Sequence, residues 1–407
     1  MHAADARARG IGRNPLIFIF VTRLIDAMGF GIVMPVLPQL LLHIGEPDIA
    51  AATRTGGFLL ATYAVFQFFF GPVIGNLSDR FGRRPIILAS LFAFGVDYLL
   101  MGFAPTVAWL FLGRAVAGIA GAVYVPANAF VADVTPVERR AHAFGLVSSA
   151  FGLGFILGPG IGGLLGGLGP RAPFFVAAAL AGINFLFGMF VLPESLPPDR
   201  RRAFSWRKAN PLGALGELQR HPGVLLYAFA AFVFLIANTV YPSTWAFFMT
   251  AKFDWSTEMI GLSLVATGIA MAGAQAFVTG RLSKRIGEHN AAVLGFATAS
   301  AIAVAYAFVT HAWLVFVYTF VGALQAISYP ALNALLSQRM PSNAQGELQG
   351  AMASLASIAN VVGPFVMAQA MAAFTAATAP VYFPGAAFLL AAALNMVGLG
   401  LLLCRRV

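Results

Sequence analysis

Charge is what this sequence has least of. Asp, Glu, Lys and Arg make up 10% of its 407 residues, and the acids number 15. A soluble domain carries about 25% charged residues, so this chain cannot cover itself with a water-facing surface. Cysteine is almost missing. Cys404 stands alone, which excludes an internal disulfide and a cysteine metal cluster. The six histidines lie near termini, loops or the ends of apolar runs, in no metal-site or triad spacing. A P-loop string for nucleotide phosphates is also missing. These gaps speak against an enzyme and against nucleotide-driven work, and no cofactor is called for.

What is present is apolar: 59% hydrophobic residues, with 38 Phe and 43 Gly. Long apolar runs recur at about 15–44, 56–76, 85–104, 107–131, 143–169, 172–192, 223–249, 258–280, 290–310, 312–336, 345–374 and 379–403. Each reaches the roughly 20 residues that cross about 30 Å of hydrocarbon. The expected fold is all-α and integral to a membrane, with twelve transmembrane helices. The first run is too long for a signal-peptide core and has no small-residue cleavage site after it, so it reads as span one.

The net charge of +10 is explained by where the bases fall. With twelve crossings, Arg54, Arg171 and Lys252 face one side, and Arg23 and Arg114 lie inside spans. Every other Arg and Lys shares the side of the two termini. The positive-inside bias therefore puts both termini in the cytosol and removes any need for a nucleic-acid partner.

Two halves of one design are visible. "GNLSDRFG" (75–82) aligns with "GRLSKRIG" (280–287), and the same spacing carries Gly158-Pro159 onto Gly363-Pro364. The polar stretch between spans six and seven reads as a cytosolic linker, with "NPLGALGELQR" as a short interfacial helix. The expected division is a six-helix bundle over 1–192, a linker over 193–222 and a second bundle over 223–407. Parallel repeats of this kind imply a transporter with a midplane site.

Three motifs carry the chemistry. In "GNLSDRFGRR", Gly75 and Gly82 permit a short turn. Asp79 suits a helix N-terminus, and Arg80, Arg83 and Arg84 offer donors to carboxylates and helix C-termini. The bland reading is a basic loop that merely obeys positive-inside. In "GLGFILGPGIGGLLGG", Gly154, Gly158 and Gly162 line one helix face, Pro159 bends the span, and Gly163 follows. Tight packing alone accounts for that stripe; a sliding seal is the functional addition.

The third feature is a set of four ions inside spans, where each costs several kcal/mol or more. Asp26 lies near the midplane, with Arg23 one turn away on the same face. Asp97 lies about 18 Å from the cytosolic end of its span, and Arg114 about 20 Å from that side. Two static ion pairs are the bland reading. Exchange of partners, protons or substrate is the functional one. The second half offers instead Asn238, Tyr241, Gln275, Gln325, Tyr329, Asn333 and Gln369 among Phe and Met. That is a wall suited to an amphipathic molecule, although each such residue alone is more often an interhelical hydrogen bond.

With these strings in view, the chain resembles the major facilitator superfamily. "GNLSDRFGRR", "FLGRAVAGIAGA" and "GFILGPGIGG" are similar to its loop, span-four and span-five antiporter motifs. "LIDAMGFGIVMPVLP", "YAVFQFFFGPVIGNLSDRFGRRPIILAS" and "AQAFVTGRL" closely resemble the bacterial tetracycline/proton antiporters. The resemblance implies the major facilitator fold of two six-helix pseudo-repeats. It places functional positions at Asp26, Gln67, Asp79, Asp97, Arg114 and Gln275. Met271 stands where that family carries a histidine, and Ala299 where it carries an aspartate. Arg23 is an added charge.

The resemblance implies a proton-coupled exporter of a small amphipathic compound or drug in a bacterial inner membrane, working as a monomer. Proton coupling falls to Asp26, Asp97, Arg114 and Arg23. Substrate contact falls to Arg23, Gln67, Asn238, Tyr241, Met271, Gln275, Gln325, Tyr329 and Asn333. Two other readings stand beside it: an organic-anion carrier anchored by Arg23, and a non-transporting membrane sensor or scaffold.

Overall fold

The computed structural model describes residues 14–205, 222–341 and 344–404. Among the described residues, twelve helices are long and apolar enough to cross a bilayer. The first stretch holds α1 (Asn14–Val33), α2 (Leu37–Ile44), α3 (Ile49–Phe81), α4 (Arg83–Phe103), α5 (Val107–Gly121), α6 (Tyr124–Val134), α7 (Arg140–Gly166) and α8 (Ala172–Val191). The second holds α9 (Pro222–Asn238), α10 (Val240–Phe253), α11 (Thr257–Gly273), α12 (Gly280–Ile286), α13 (Glu288–Ala307), α14 (Ala312–Gly322) and α15 (Ser328–Arg339), and the third α16 (Gln345–Thr375) and α17 (Ala386–Leu403).

Three spans break beside a proline, although Pro72, Pro159 and Pro364 lie inside unbroken helices. A proline has no N–H, so the carbonyl four residues before it loses its helical donor. Pro126 frees Ala122, and span four breaks between α5 and α6 at Ala122-Val123. Pro242 frees Asn238, and span seven breaks at Thr239. Pro330 frees Ala326, inside a 3₁₀ turn at Ala323–Ile327 that splits span ten. Span eight is interrupted without proline by a π-helical turn, Ala274–Thr279, which packs against the 3₁₀ turn.

The largest differences from the expected span ends are in spans one, two and twelve. Span one stops at Val33 rather than 44, because Pro35 and Pro38 end the helix and start α2. Span two begins at Ile49 rather than 56. Span twelve begins at Ala386 rather than 379, since Pro380 and Pro384 precede it. Residues 206–221, including the expected interfacial helix, lie outside the described residues.

The described parts of Met1–Val36 and Thr62–Pro211 form one compact unit, and those of Leu37–Ala61 and Leu212–Val407 a second. The limit between them falls within α3. In the first unit α1 lies along α7 on the glycine stripe. A Cβ at Gly158 would come within 2.5 Å of Met28 O and 3.0 Å of Gly31 Cα. Gly154 and Gly162 meet the backbone of Leu24 and Ile32 in the same way. The smooth face lets two backbones touch. In the second unit, a hydrophobic cluster gathers Tyr227, Phe234, Phe296, Leu332, Leu336 and Met352.

The repeat seen in sequence has a geometric counterpart. Gly82 has φ 106° and Gly287 has φ 81°, so each ends a helix in a backbone region that a Cβ disfavours. Pro159 and Pro364 likewise lie inside α7 and α16.

The stripe makes a direct prediction. Gly158→Val forces a side chain into α1 and costs about 1–3 kcal/mol, read as a fall in melting temperature in detergent. Gly152→Ala, with nothing within 4 Å of the added atom, leaves it unchanged. Equal effects from both variants contradict this packing account.

Candidate functional site

Away from the loop motif and the linker, two acid–arginine pairs lie within the described spans of the first unit, and they differ in tightness. Asp97 on α4 and Arg114 on α5 are 0% and 6% exposed. Arg114 Nη2 donates to Asp97 Oδ2. Gly113 makes room for this contact: a Cβ there would lie 2.7 Å from Asp97 Oδ1. Burying two charges is tolerable only when each has its partner. Asp97 Oδ1 and Arg114 Nε still have no hydrogen-bond partner among the described residues.

The second pair is looser. Arg23 Nη1 lies 3.9 Å from Asp26 Oδ2, beyond hydrogen-bond reach, and the side chains keep 20% and 12% exposure. The Arg23 guanidinium sits over the Phe151 ring of α7, 5.6 Å from its centroid, within cation–π range. Asp26 Oδ2 has no hydrogen-bond partner among the described residues.

Two tyrosines stand among these ions, and the sequence reading missed both. Gln67 Nε2 donates to Tyr63 Oη at 3.1 Å on α3, and Gly121 leaves space for that phenol. Tyr63 lies within electrostatic range of Asp26, Arg23, Asp97 and Arg114. Tyr98 lies within range of Asp97, Arg114, Asp26 and Tyr63. The signals were available: Tyr63 and Gln67 share a helix face four residues apart, and Tyr98 follows Asp97.

In the second unit the expected polar wall is only partly assembled. Gln325 Nε2 donates to Tyr241 Oη at 3.4 Å. Tyr241 faces an aromatic cluster of Trp245, Tyr306 and Phe388. Met271 packs beside Ala323 and Ala326, in the turn that carries Gln325. Asn238 donates instead to Phe234 O of its own helix, at 3.1 Å. Gln275 is exposed on the π turn, and Tyr329 is half-buried. Asn333 Oδ1 and Gln369 Nε2 have no hydrogen-bond partner among the described residues. Ala299 is buried.

The loop motif is a closed ionic network. Arg83 Nη1 is 2.6 Å from Asp79 Oδ1, and its Nε is 3.4 Å from Asp133 Oδ2 at the end of α6. Ser195 Oγ donates to the same Asp133 oxygen at 3.0 Å. Glu194 accepts from the backbone N–H groups of Arg83 (2.8 Å) and Arg84 (3.3 Å), so it caps the start of α4. Arg202 N donates to Asp79 O at 3.0 Å. Arg84 Nη2 donates to Met189 O at 2.6 Å, while exposed Arg80 stacks on Phe81. The first residues of the expected linker are thus strapped to the loop. Asp133 and Glu194 were passed over because each lies far from the loop in sequence. Both are acids at span ends, the natural partners of a triple-arginine turn. A Cβ at Gly75 would lie 3.0 Å from Val125 Cγ1 of α6.

Ions held in pairs inside twelve apolar spans are the anatomy of a membrane carrier, and the comparisons agree. Residues 19–364 match the Major Facilitator Superfamily, and the chain belongs to it. It is 42% identical over 384 residues to the class C tetracycline resistance protein of Escherichia coli, covering 94% of this chain and 95% of that one. It is 30% identical to multidrug resistance protein 2 of Bacillus subtilis (strain 168), covering 88% and 89%. The crystal structure of the nucleoside transporter NupG superposes with a TM-score of 0.77 at 13% identity, over 96% of this chain and 98% of that one, which bears on the fold alone. The protein is a multi-pass drug efflux transporter of the inner membrane, not an enzyme.

The buried pair predicts an asymmetry. Arg114→Gln strands Asp97 and costs about 3–5 kcal/mol. Adding Asp97→Asn recovers much of the loss, read as thermal stability in detergent. A double variant no more stable than the single one contradicts the pairing argument.

Proposed function

We propose that the protein is a proton-coupled antiporter that exports a small amphipathic drug by alternating access, as a monomer with both termini in the cytosol. The observation that carries this reading is the contrast between the two acids. Asp97 is sealed against Arg114, while Asp26 is partly accessible and loosely held by Arg23. A neighbouring cation favours the ionised form of an acid, and its withdrawal favours protonation. A pair that tightens and loosens between two states therefore converts motion into proton uptake and release. A proton gradient supplies the drive, about 2.3 kcal/mol per 100 mV of potential.

The names of the relatives support a tetracycline-type substrate. Met271 and Ala299 remove two ionisable groups from the resembling pattern, so the contact surface here is apolar and amide-rich. The loop network of Asp79, Arg83 and Asp133 serves as the latch of one state, and the stripe of Gly154, Gly158 and Gly162 as the sliding face. Arg23 favours a second reading, an organic-anion carrier. Its side chain is partly exposed, and its guanidinium lies beyond hydrogen-bond distance of Asp26 and over an aromatic ring. Membership of a transporter family speaks against a non-transporting scaffold.

The deciding experiment is uptake into proteoliposomes under an imposed pH gradient, with tetracyclines and several organic anions as substrates. Asp26→Asn, and Asp97→Asn made together with Arg114→Gln so that no buried guanidinium is stranded, reduce gradient-driven uptake per folded protein by about tenfold or more. Wild-type rates in both variants sink the proton-carrier assignment. Arg23→Gln separates the two substrate readings. In the antiporter reading it moves the pH profile of transport, for uncharged substrates too. In the anion reading, affinity for anions collapses and the pH profile for other substrates stays in place.

A further inference from the structure

The first unit holds an apolar cavity that the proton chemistry does not use. About 150 Å³ in volume, it lies between the N-terminal halves of α1 and α7. Leu16, Ile17 and Phe20 line it from α1, and Ala143, Leu146 and Val147 from α7. Ile17 and Leu146 are 53% and 45% exposed and form its open side. We propose that this cavity holds the ring of an aromatic carboxylate whose anionic group is bound by Arg23. The inference rests on the anion reading of Arg23 and supplies the apolar half of that site.

The register of the two helices brings Arg23 to the cavity. A Cβ at Gly154 would come within 2.4 Å of Leu24 O, one at Gly158 within 2.5 Å of Met28 O and one at Gly162 within 2.3 Å of Ile32 O. Successive turns of α7 thus meet successive turns of α1, and the two helices run parallel and in step. Arg23 lies three residues beyond Phe20, and Phe151 four beyond Val147. Each is therefore one turn past a cavity residue on the same helix face, about 5 Å along the axis. The Arg23 guanidinium lies over the Phe151 ring, 5.6 Å from its centroid, so the charge sits on the α1–α7 seam itself. Helical side chains lean toward the N-terminus, over the preceding turn. For both residues that is the turn that lines the cavity.

Size and charge select the occupant. A dry apolar cavity of about 150 Å³ takes one benzene-sized ring, which gains from leaving water and from dispersion contacts with the aliphatic walls. A guanidinium offers a planar fork of N–H donors that matches a carboxylate. The Arg23 side chain keeps 20% exposure, and Asp26 beside it, at 3.9 Å, is too far for a hydrogen bond. A lipid acyl chain fills the cavity and leaves the cation unused. A small hydrophilic anion uses the cation and leaves the cavity empty. A ring joined to a carboxylate by a short linker uses both.

Asp26 competes with such a ligand. It is the ion-pair partner of Arg23, and two carboxylates around one guanidinium repel each other. Removing the Asp26 charge therefore strengthens binding of the anion and leaves an uncharged analogue unaffected.

The test is equilibrium dialysis of radiolabelled 3-phenylpropanoate against the whole chain in lipid nanodiscs, with empty nanodiscs subtracted and 3-phenylpropanamide as the uncharged probe. The acid binds about tenfold or more tighter than the amide, and Arg23→Gln brings it down to the amide's level. Ala143→Leu fills the cavity and weakens the acid about tenfold. Leu146→Ala widens an exposed wall and shifts preference toward a naphthyl analogue, which keeps the test open where Ala143→Leu fails to fold. Asp26→Asn tightens the acid by about threefold or more. Equal binding of acid and amide makes the occupant a neutral chain and overturns the proposal. So does the absence of saturable binding, or weaker binding of the acid to Asp26→Asn. Acid binding that is lost in Arg23→Gln but unmoved by both cavity variants overturns the cavity half and leaves the anion reading standing. No effect of Arg23→Gln overturns both.

Discussion

An ion left alone in hydrocarbon is too costly to keep, and that constraint organises this protein. Asp97 survives burial because Arg114 reaches it from the next helix, and Gly113 is small enough to let the helices close around the contact. Arg114 is in turn tolerable because Asp97 is there. Their mutual dependence ties α4 to α5. Asp26 and Arg23 obey the same rule more weakly, at 3.9 Å and with partial access. The first unit thus holds one tight pair and one loose pair inside its spans.

Backbone groups obey the same constraint. Each unpaired carbonyl inside a span must find a partner or a polar surrounding. Pro126, Pro242 and Pro330 each free one carbonyl, and the chain answers with a break or a 3₁₀ turn. The broken spans are those that carry Arg114, Tyr241 and Gln325. Glycine works in the opposite sense, removing side chains so that α1 and α7 meet backbone to backbone. Pro72, Pro159 and Pro364 stay inside continuous helices, so a missing N–H permits a break without enforcing one.

The span count was legible because hydropathy over twenty residues is a strong, local signal. Glycine turns at Gly82 and Gly287 were legible because two copies of one string share a spacing. Three span breaks fall beside prolines and hydropathy runs straight over them, yet Pro72, Pro159 and Pro364 sit in unbroken helices, so proline alone does not mark a break. Pairing of Arg83 with Asp133, and of the α4 start with Glu194, was not legible, because a contact across many residues leaves no local pattern. Tyr63 and Tyr98 were hidden for a different reason. A tyrosine in an apolar span looks like packing until the acids around it are placed in space. The π turn at Ala274–Thr279 has no sequence signature that we can name.

The central claim is that the acids of the first unit exchange protons for substrate. Its most direct test imposes no pH gradient. Proteoliposomes carrying the wild-type protein and a lumenal pH dye are given a tetracycline gradient alone. Antiport predicts that drug moving down its gradient drives protons the opposite way, so lumenal pH changes in step with the flux and returns to baseline when the drug gradient is spent. Drug flux with no accompanying pH change contradicts the account.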